Sequence, residues 1–235
     1  MHHRPLVIGL GELLWDCFAD SRRPGGAPAN VAFQANQLDC EGVVCSRIGQ
    51  DPLGEELTAF LESQGVSSRT LQFDAKTPTG TVTVEMQEGN HPAYTIHKDV
   101  AWDAMEFTPD WQKLMRSASA ICFGSLAQRG EPSHTTIQQC LAATSEECLI
   151  VYDVNLRQNY FSSTVLEESL RACRAVKLNH EELIVISQLL NTSAKESPFA
   201  REIQSRYGVE LVIITRGENG CLLISADETI DVPGE

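Results

Sequence analysis

The sequence has no surplus of basic charge. Its 18 Lys and Arg stand against 32 Asp and Glu, giving a formal net charge of -14 over 235 residues. So acidic a chain lacks the basic face that nucleic acid or an anionic membrane requires. A phosphate ligand stays open, because a few N–H groups and local cations can hold one. No apolar run approaches the roughly 20 residues of a membrane-spanning helix. No export signal opens the chain, since Met1-His2-His3-Arg4-Pro5 leads at once into a strand-like run. The expected address is the cytoplasm. None of the eight cysteines (Cys17, Cys40, Cys45, Cys122, Cys140, Cys148, Cys173 and Cys221) forms a C-x-x-C pair. Spread through strands and helices, they read as reduced, mostly buried thiols rather than a metal site.

What is present suits a globular fold. Hydrophobic residues make up 42% and charged residues 21% of the chain, enough for one good-sized core or a core with a small appendage. Leu6 to Gly11 is a short apolar run that reads as a central strand. Glu12 to Phe18 continues as an extended piece carrying Asp16. An acid there is either an edge carboxylate facing water or a paired, functional group. Gly25-Gly26-Ala27-Pro28-Ala29-Asn30 is a glycine turn running into a helix, with Pro28 in its first turn, through about Leu38. Val43 to Ile48 reads as the next strand. Asp51-Pro52 caps and starts a helix that Gly65 stops. This alternation argues for a parallel α/β sheet.

The pattern then breaks. Thr79–Met86 and Ala93–Lys98 flank turn material at Gln87–Pro92 and read as a hairpin inserted between α/β units, or as an antiparallel edge of the main sheet. The doubly wound alternation resumes with a helix from Thr108-Pro109, a strand at Ser119–Gly124, a helix over Pro132–Thr144 and a strand at Leu149–Asp153. Ala175–Leu178 is another strand, Ser197-Pro198 caps a helix to Tyr207, Leu211–Thr215 is a buried strand, and two more follow at Cys221–Ile224 and Glu228–Val232. Such sheets deliver functional groups at strand C-termini. Candidates there are Asp153-Val154-Asn155-Leu156-Arg157, whose plain alternative is an Asp153–Arg157 salt bridge, and Asn179-x-x-Glu182, which is also a capping box. Thr215-Arg216-Gly217-Glu218-Asn219-Gly220 is a third, weak as a bare pattern because any hairpin can carry two glycines.

The stretch GGAPANVA, followed by RIGQDPLGEELTAFLESQGV, resembles the first signature of the ribokinase-like (pfkB) carbohydrate kinases, with wording like that of bacterial fructokinases. The resemblance implies an α/β, three-layer ribokinase-like sandwich with a mainly parallel central sheet and a small β-hairpin lid. It implies one domain over 1–235, with lid strands around 13–19 and 79–98. It implies transfer of the ATP γ-phosphate to a primary hydroxyl of a small sugar, fructose first. Asp16, Gly25, Gly26 and Asn30 would hold the sugar, and Lys98 would close over it unless it is merely solvated. Arg157 would meet phosphate and transition-state charge. Asn179, Glu182, Thr215, Gly217 and Gly220 would serve the nucleotide, with Glu182 reaching Mg2+ through water. A monovalent cation such as K+ and a homodimer through the lid strands are further family features.

One departure stands out. The family's D-x-x-G-A-G-D signature, with its general base, does not occur in these residues, so a shortened chain and a poor kinase are expected. Asp51 and Asp153 are the carboxylates at hand, and neither lies in a glycine-rich helix start. A sugar-binding protein without the base remains an alternative, as does a kinase for 2-keto-3-deoxygluconate, ribose or a nucleoside.

Overall fold

The computed structural model describes residues 4–86 and 92–234. The chain divides into two compact units, one of residues 1–122 with 127–148 and the other of 123–126 with 149–235.

The first unit begins with β1 (Leu6–Leu10), β2 (Leu14–Cys17), β3 (Arg22–Gly25), α1 (Ala27–Gln37), β4 (Glu41–Cys45) and β5 (Arg47–Gly49). It continues through α2 (Pro52–Ser63), β6 (Gln72–Asp74), β7 (Gly80–Met86), β8 (Pro92–Ile96), α3 (Pro109–Ser117), β9 (Ala120–Gly124, split between the units) and α4 (Glu131–Ala142). Strand β1 runs parallel to β4, with Leu6 opposite Glu41 and Leu10 opposite Cys45. Helix α1 presses onto β1 so closely that a Cβ on Gly9 would collide with the Pro28 carbonyl. This fixes where the helix begins, and with it the glycine turn. Leu13, Trp15, Ala32, Val44, Ile48, Leu57 and Leu61 form one buried cluster.

The expected hairpin is a real antiparallel pair of β7 and β8, but it does not edge the parallel sheet. It belongs to a separate four-stranded sheet in the order β3-β2-β7-β8. The turn expected at 87–91 lies outside the described residues. The strand read over Val43–Ile48 is in fact two, interrupted at Ser46. Strand β4 stays with β1, whereas β5 leaves to pair with β6.

Carboxylates fasten this region. Asp51 caps α2 through the Gly54 N–H (2.8 Å) and also accepts from the Thr79 N–H (2.8 Å) and hydroxyl (2.7 Å), where β7 begins. Asp74 accepts from the N–H groups of Lys76 (2.8 Å) and Thr77 (3.1 Å) and meets Arg47 at 2.9 Å.

The second unit holds the end of β9, then β10 (Leu149–Asp153), α5 (Ser163–Ala172), β11 (Ala175–Asn179), α6 (His180–Leu190) and α7 (Glu196–Tyr207), followed by β12 (Leu211–Thr215), β13 (Cys221–Ile224) and β14 (Thr229–Val232). Strands β10, β11 and β12 are parallel neighbours, and β13 and β14 add antiparallel. The Phe123 and Tyr152 rings stack at 5.0 Å, and the buried Ser125 hydroxyl bonds both the Tyr152 hydroxyl and the Val154 carbonyl. Helix α7 starts at Glu196 with Lys195 as its cap, so Ser197 and Pro198 lie inside the first turn. Pro198 is tolerated there because the N–H it lacks would have no intrahelical partner.

Both units thus carry the expected α/β pattern with parallel strands. Among the described residues no helix is long and apolar enough to cross a membrane. None of the eight cysteines forms a disulfide among the described residues, and burial pushes Cys45, Cys140 and Cys173 well above the ordinary range, the latter two to about 12. These three stay protonated and unreactive.

Burial works to raise the Asp74 pKa. The Thr77 hydroxyl, the two backbone N–H groups and Arg47 outweigh it and hold the group down, from 3.8 to about 2. A depressed folded pKa contributes stability above the unfolded value, and that stability is lost as pH falls through the folded one. An acid titration followed by tryptophan fluorescence should therefore show a component lost between 3.8 and about 2, and Asp74→Asn should remove that component.

Candidate functional site

In the first unit the glycine turn, Asp16 and the start of α1 come together. Antiparallel register sets Leu14 opposite Gly25 and Asp16 opposite Arg23, while parallel register sets Asp16 beside Val82, which faces Ile96. Asp16 therefore shares a face with Leu14, Val82 and Ile96, all buried. A Cβ on Gly25 would lie 2.6 Å from Asp16 Oδ2, so the carboxylate leans over that glycine. Gly26 caps α1 with φ +113°, a conformation costly for any other residue. Asn30 follows in the first turn. Its N–H reaches the Gly26 carbonyl at 3.3 Å, and its exposed side chain makes no hydrogen bond among the described residues. Lys98 is exposed just past β8, two strands from Asp16.

Sequence reasoning missed Glu12. It is only 2% exposed, and its Oε1 accepts the Ala27 N–H at 3.3 Å, the first amide of α1. The signal was a carboxylate directly after the glycine that ends a buried strand.

In the second unit, Asp153, Asn179 and Thr215 are the last residues of three successive parallel strands. Asn179 and Thr215 are register partners. The predicted capping box forms: Asn179 Oδ1 accepts the Glu182 N–H, and Glu182 Oε2 accepts the Asn179 N–H, both at 2.8 Å. Glu182 Oε1 accepts the Leu156 N–H at 2.9 Å, which ties the loop after β10 to the head of α6. That loop holds Asn155 and Gln158 at φ +44° and +50°, left-handed positions uncommon outside glycine. The Asp153–Arg157 bridge does not form. Asp153 pairs with Lys177 at 3.1 Å, and Arg157 is exposed, its guanidinium donating to the Leu156 carbonyl.

Asn179, Thr215 and Gly217 line a cleft of about 630 Å3. Glu182 and Gly220 are not in its lining. Gly217 and Gly220 take φ +57° and +84° and shape the turn after β12. Arg216, another residue the sequence reading passed over, lines the cleft too. Its guanidinium forks onto Glu196 (2.9 and 2.6 Å) and reaches Asp231 at 2.9 and 3.1 Å. The hydrogen bond from Arg216 holds the Glu196 carboxyl below its usual range, with Arg216 and His180 charge adding to it. Among the described residues no group of three or more His, Cys, Asp or Glu could hold a metal ion.

The pfkB family carbohydrate kinase profile matches residues 7–235. The chain belongs to the pfkB family of carbohydrate kinases. This pfkB chain is 29% identical over 245 residues to a Pyrococcus horikoshii sugar kinase, covering 97% of the chain and 74% of that protein. A structure of that kinase in complex with ATP superposes with a TM-score of 0.82 over 98% of this chain and 76% of its own. A Solanum tuberosum fructokinase is 27% identical over 231 residues, 92% of this chain and 69% of the relative. A Vibrio cholerae fructokinase double mutant with fructose, ADP and potassium bound shares the fold at a TM-score of 0.81 and 22% identity, covering 99% of this chain and 76% of that one.

Glu182→Gln would turn an amide N–H2 against one of two backbone N–H donors. Leaving a buried donor unmet costs about 1–3 kcal/mol. Urea unfolding of the variant should show that loss as a lower midpoint at unchanged slope.

Proposed function

We propose that this carbohydrate kinase chain takes fructose in its first unit and ATP in its second, for transfer of the γ-phosphate to a primary sugar hydroxyl. The observation that carries the reading is the run of Asp153, Asn179 and Thr215 at three successive strand C-termini, two of them on one cleft. Open α/β sheets bind ligands at that end of their strands. The ATP held by the P. horikoshii relative supports the nucleotide, and the fructokinase relatives support the sugar. Asp16 would accept sugar hydroxyl protons beside Gly25 and Gly26, with Asn30 donating and Lys98 closing. Arg157, which carries no carboxylate partner among the described residues, would neutralise transferring phosphate.

Asn179, Thr215, Gly217 and Gly220 would receive the nucleotide. Each Glu182 oxygen already accepts one backbone N–H, which fits an outer role toward Mg2+ through water better than direct ligation. Mg2+, carried on the ATP phosphates, would supply charge neutralisation. The potassium in the V. cholerae structure supports a monovalent site. The open edge of β8, with Tyr94 exposed, is where the lid of a second copy would pair. These roles fit a cytoplasmic enzyme.

A second reading, sugar binding without transfer, draws on two engaged acids. Asp51 is spent on the head of α2 and on Thr79, and Asp153 on Lys177.

Calorimetry with Mg2+ and a nonhydrolysable ATP analogue, and with fructose, ribose, 2-keto-3-deoxygluconate and a nucleoside, tests the reading alongside ADP release from ATP. Fructose should bind tightest. Asp16→Ala should weaken it about tenfold or more, the size of a lost charged hydrogen bond, with nucleotide affinity unchanged. Binding of both ligands without ADP release would favour the second reading, and binding of neither would sink both.

A further inference from the structure

We propose that Arg129 is a positioning residue for the sugar, acting through the segment 97–103 that follows the lid strand β8; the inference rests on the sugar-kinase reading above. Arg129 leaves the region just after β9 and is nearly buried, its side chain 5% exposed. Its Nε and Nη2 fork onto Asp103 Oδ1 and Oδ2 at 2.7 and 2.8 Å. Nη2 also donates to the His97 carbonyl at 2.5 Å. The guanidinium carbon stands 3.9 Å from the centre of the Trp102 ring. One planar cation thus grips both ends of a segment whose second residue is Lys98, and stacks on its last aromatic. Arginine suits this task because its fork and its flat face can be used together.

The segment also packs against the sheet face that Asp16 shares. Trp102 is fully buried, and a Cβ on Gly80 would collide with its Nε1. Gly80 is the register partner of Leu14, two residues before Asp16 on the same face. Arg129 therefore bears on the sugar side by two routes. Its bond to the His97 carbonyl fixes the residue before Lys98, and its stack on Trp102 fixes the ring packed at Gly80, on the strand beside the one that carries Asp16. Ser133 separately holds the Trp102 carbonyl at 2.7 Å and the Met105 N–H at 2.9 Å. The far end of the segment is thus anchored by α4 when Arg129 is changed.

The test compares wild type with Arg129→Met, Arg129→Lys and Asp103→Asn. Fructose and a nonhydrolysable ATP analogue are titrated separately, and hydrogen exchange is followed over 97–103. The expected result is at least a tenfold weaker sugar Kd in Arg129→Met and Asp103→Asn, a nucleotide Kd within twofold of wild type, and faster exchange in 97–103. Arg129→Lys, which keeps the charge and loses the fork, should recover only a minor part. A lower Tm with sugar affinity unchanged would make Arg129 merely structural and overturn the proposal. Should Arg129→Met fail to fold, the other two variants are judged by the same sugar-against-nucleotide split. Wild type that binds nucleotide and another sugar but no fructose corrects the substrate alone, with the split then read on that sugar. Wild type that binds no sugar overturns both this proposal and the reading beneath it.

Discussion

The Glu182 carboxylate holds two backbone amides that belong to different segments. One is the Asn179 N–H at the head of α6, and the other is the Leu156 N–H in the loop after β10. A backbone N–H buried without a partner costs more than a hydrogen bond gains. The loop carrying Arg157 is therefore tied where Glu182 ties it. Within that loop the Arg157 side chain donates to the Leu156 carbonyl, and its own carbonyl accepts the Tyr160 N–H at 3.1 Å.

The first unit solves the same problem with other acids. Glu12 takes the leading amide of α1, and Asp51 takes amides from both α2 and β7. Asp74 takes two amides and a guanidinium. Each carboxylate joins segments distant in sequence. This gives part of the chain's acid surplus a structural use. Asp16 stands apart from these ties, on a sheet face shared with Leu14, Val82 and Ile96 and opposite Arg23.

Local chemistry explains what could be read from the residues. The Asp51-Pro52 start of α2 and the Asn179/Glu182 box are fixed by groups three residues apart, and both form as the spacing dictates. The parallel strands declare themselves by apolar runs. Long-range geometry was not legible. Nothing near Ser46 marks the change from one sheet to another, since the run from Val43 to Ile48 stays strand-like throughout. The pairing of Asp153 with Lys177 instead of Arg157 comes from strand register. Arg129 looked ordinary because its partners at 97, 102 and 103 lie far off in sequence. The head of α7 was misread because its cap, Lys195, makes no side-chain bond, while Ser197-Pro198 mimics a start.

The cluster around Arg216 has a consequence for how the cleft meets an anion. Two carboxylates share that guanidinium, so its positive field is cancelled a few ångströms from its source. A polyanion approaching a molecule of net charge -14 is repelled as it nears the surface. At physiological ionic strength the Debye length is about 8 Å, so the repulsion fades beyond a shell of that thickness. Capture of phosphate by this face is therefore a matter of short-range donors, and added salt should hasten the encounter rather than hinder it.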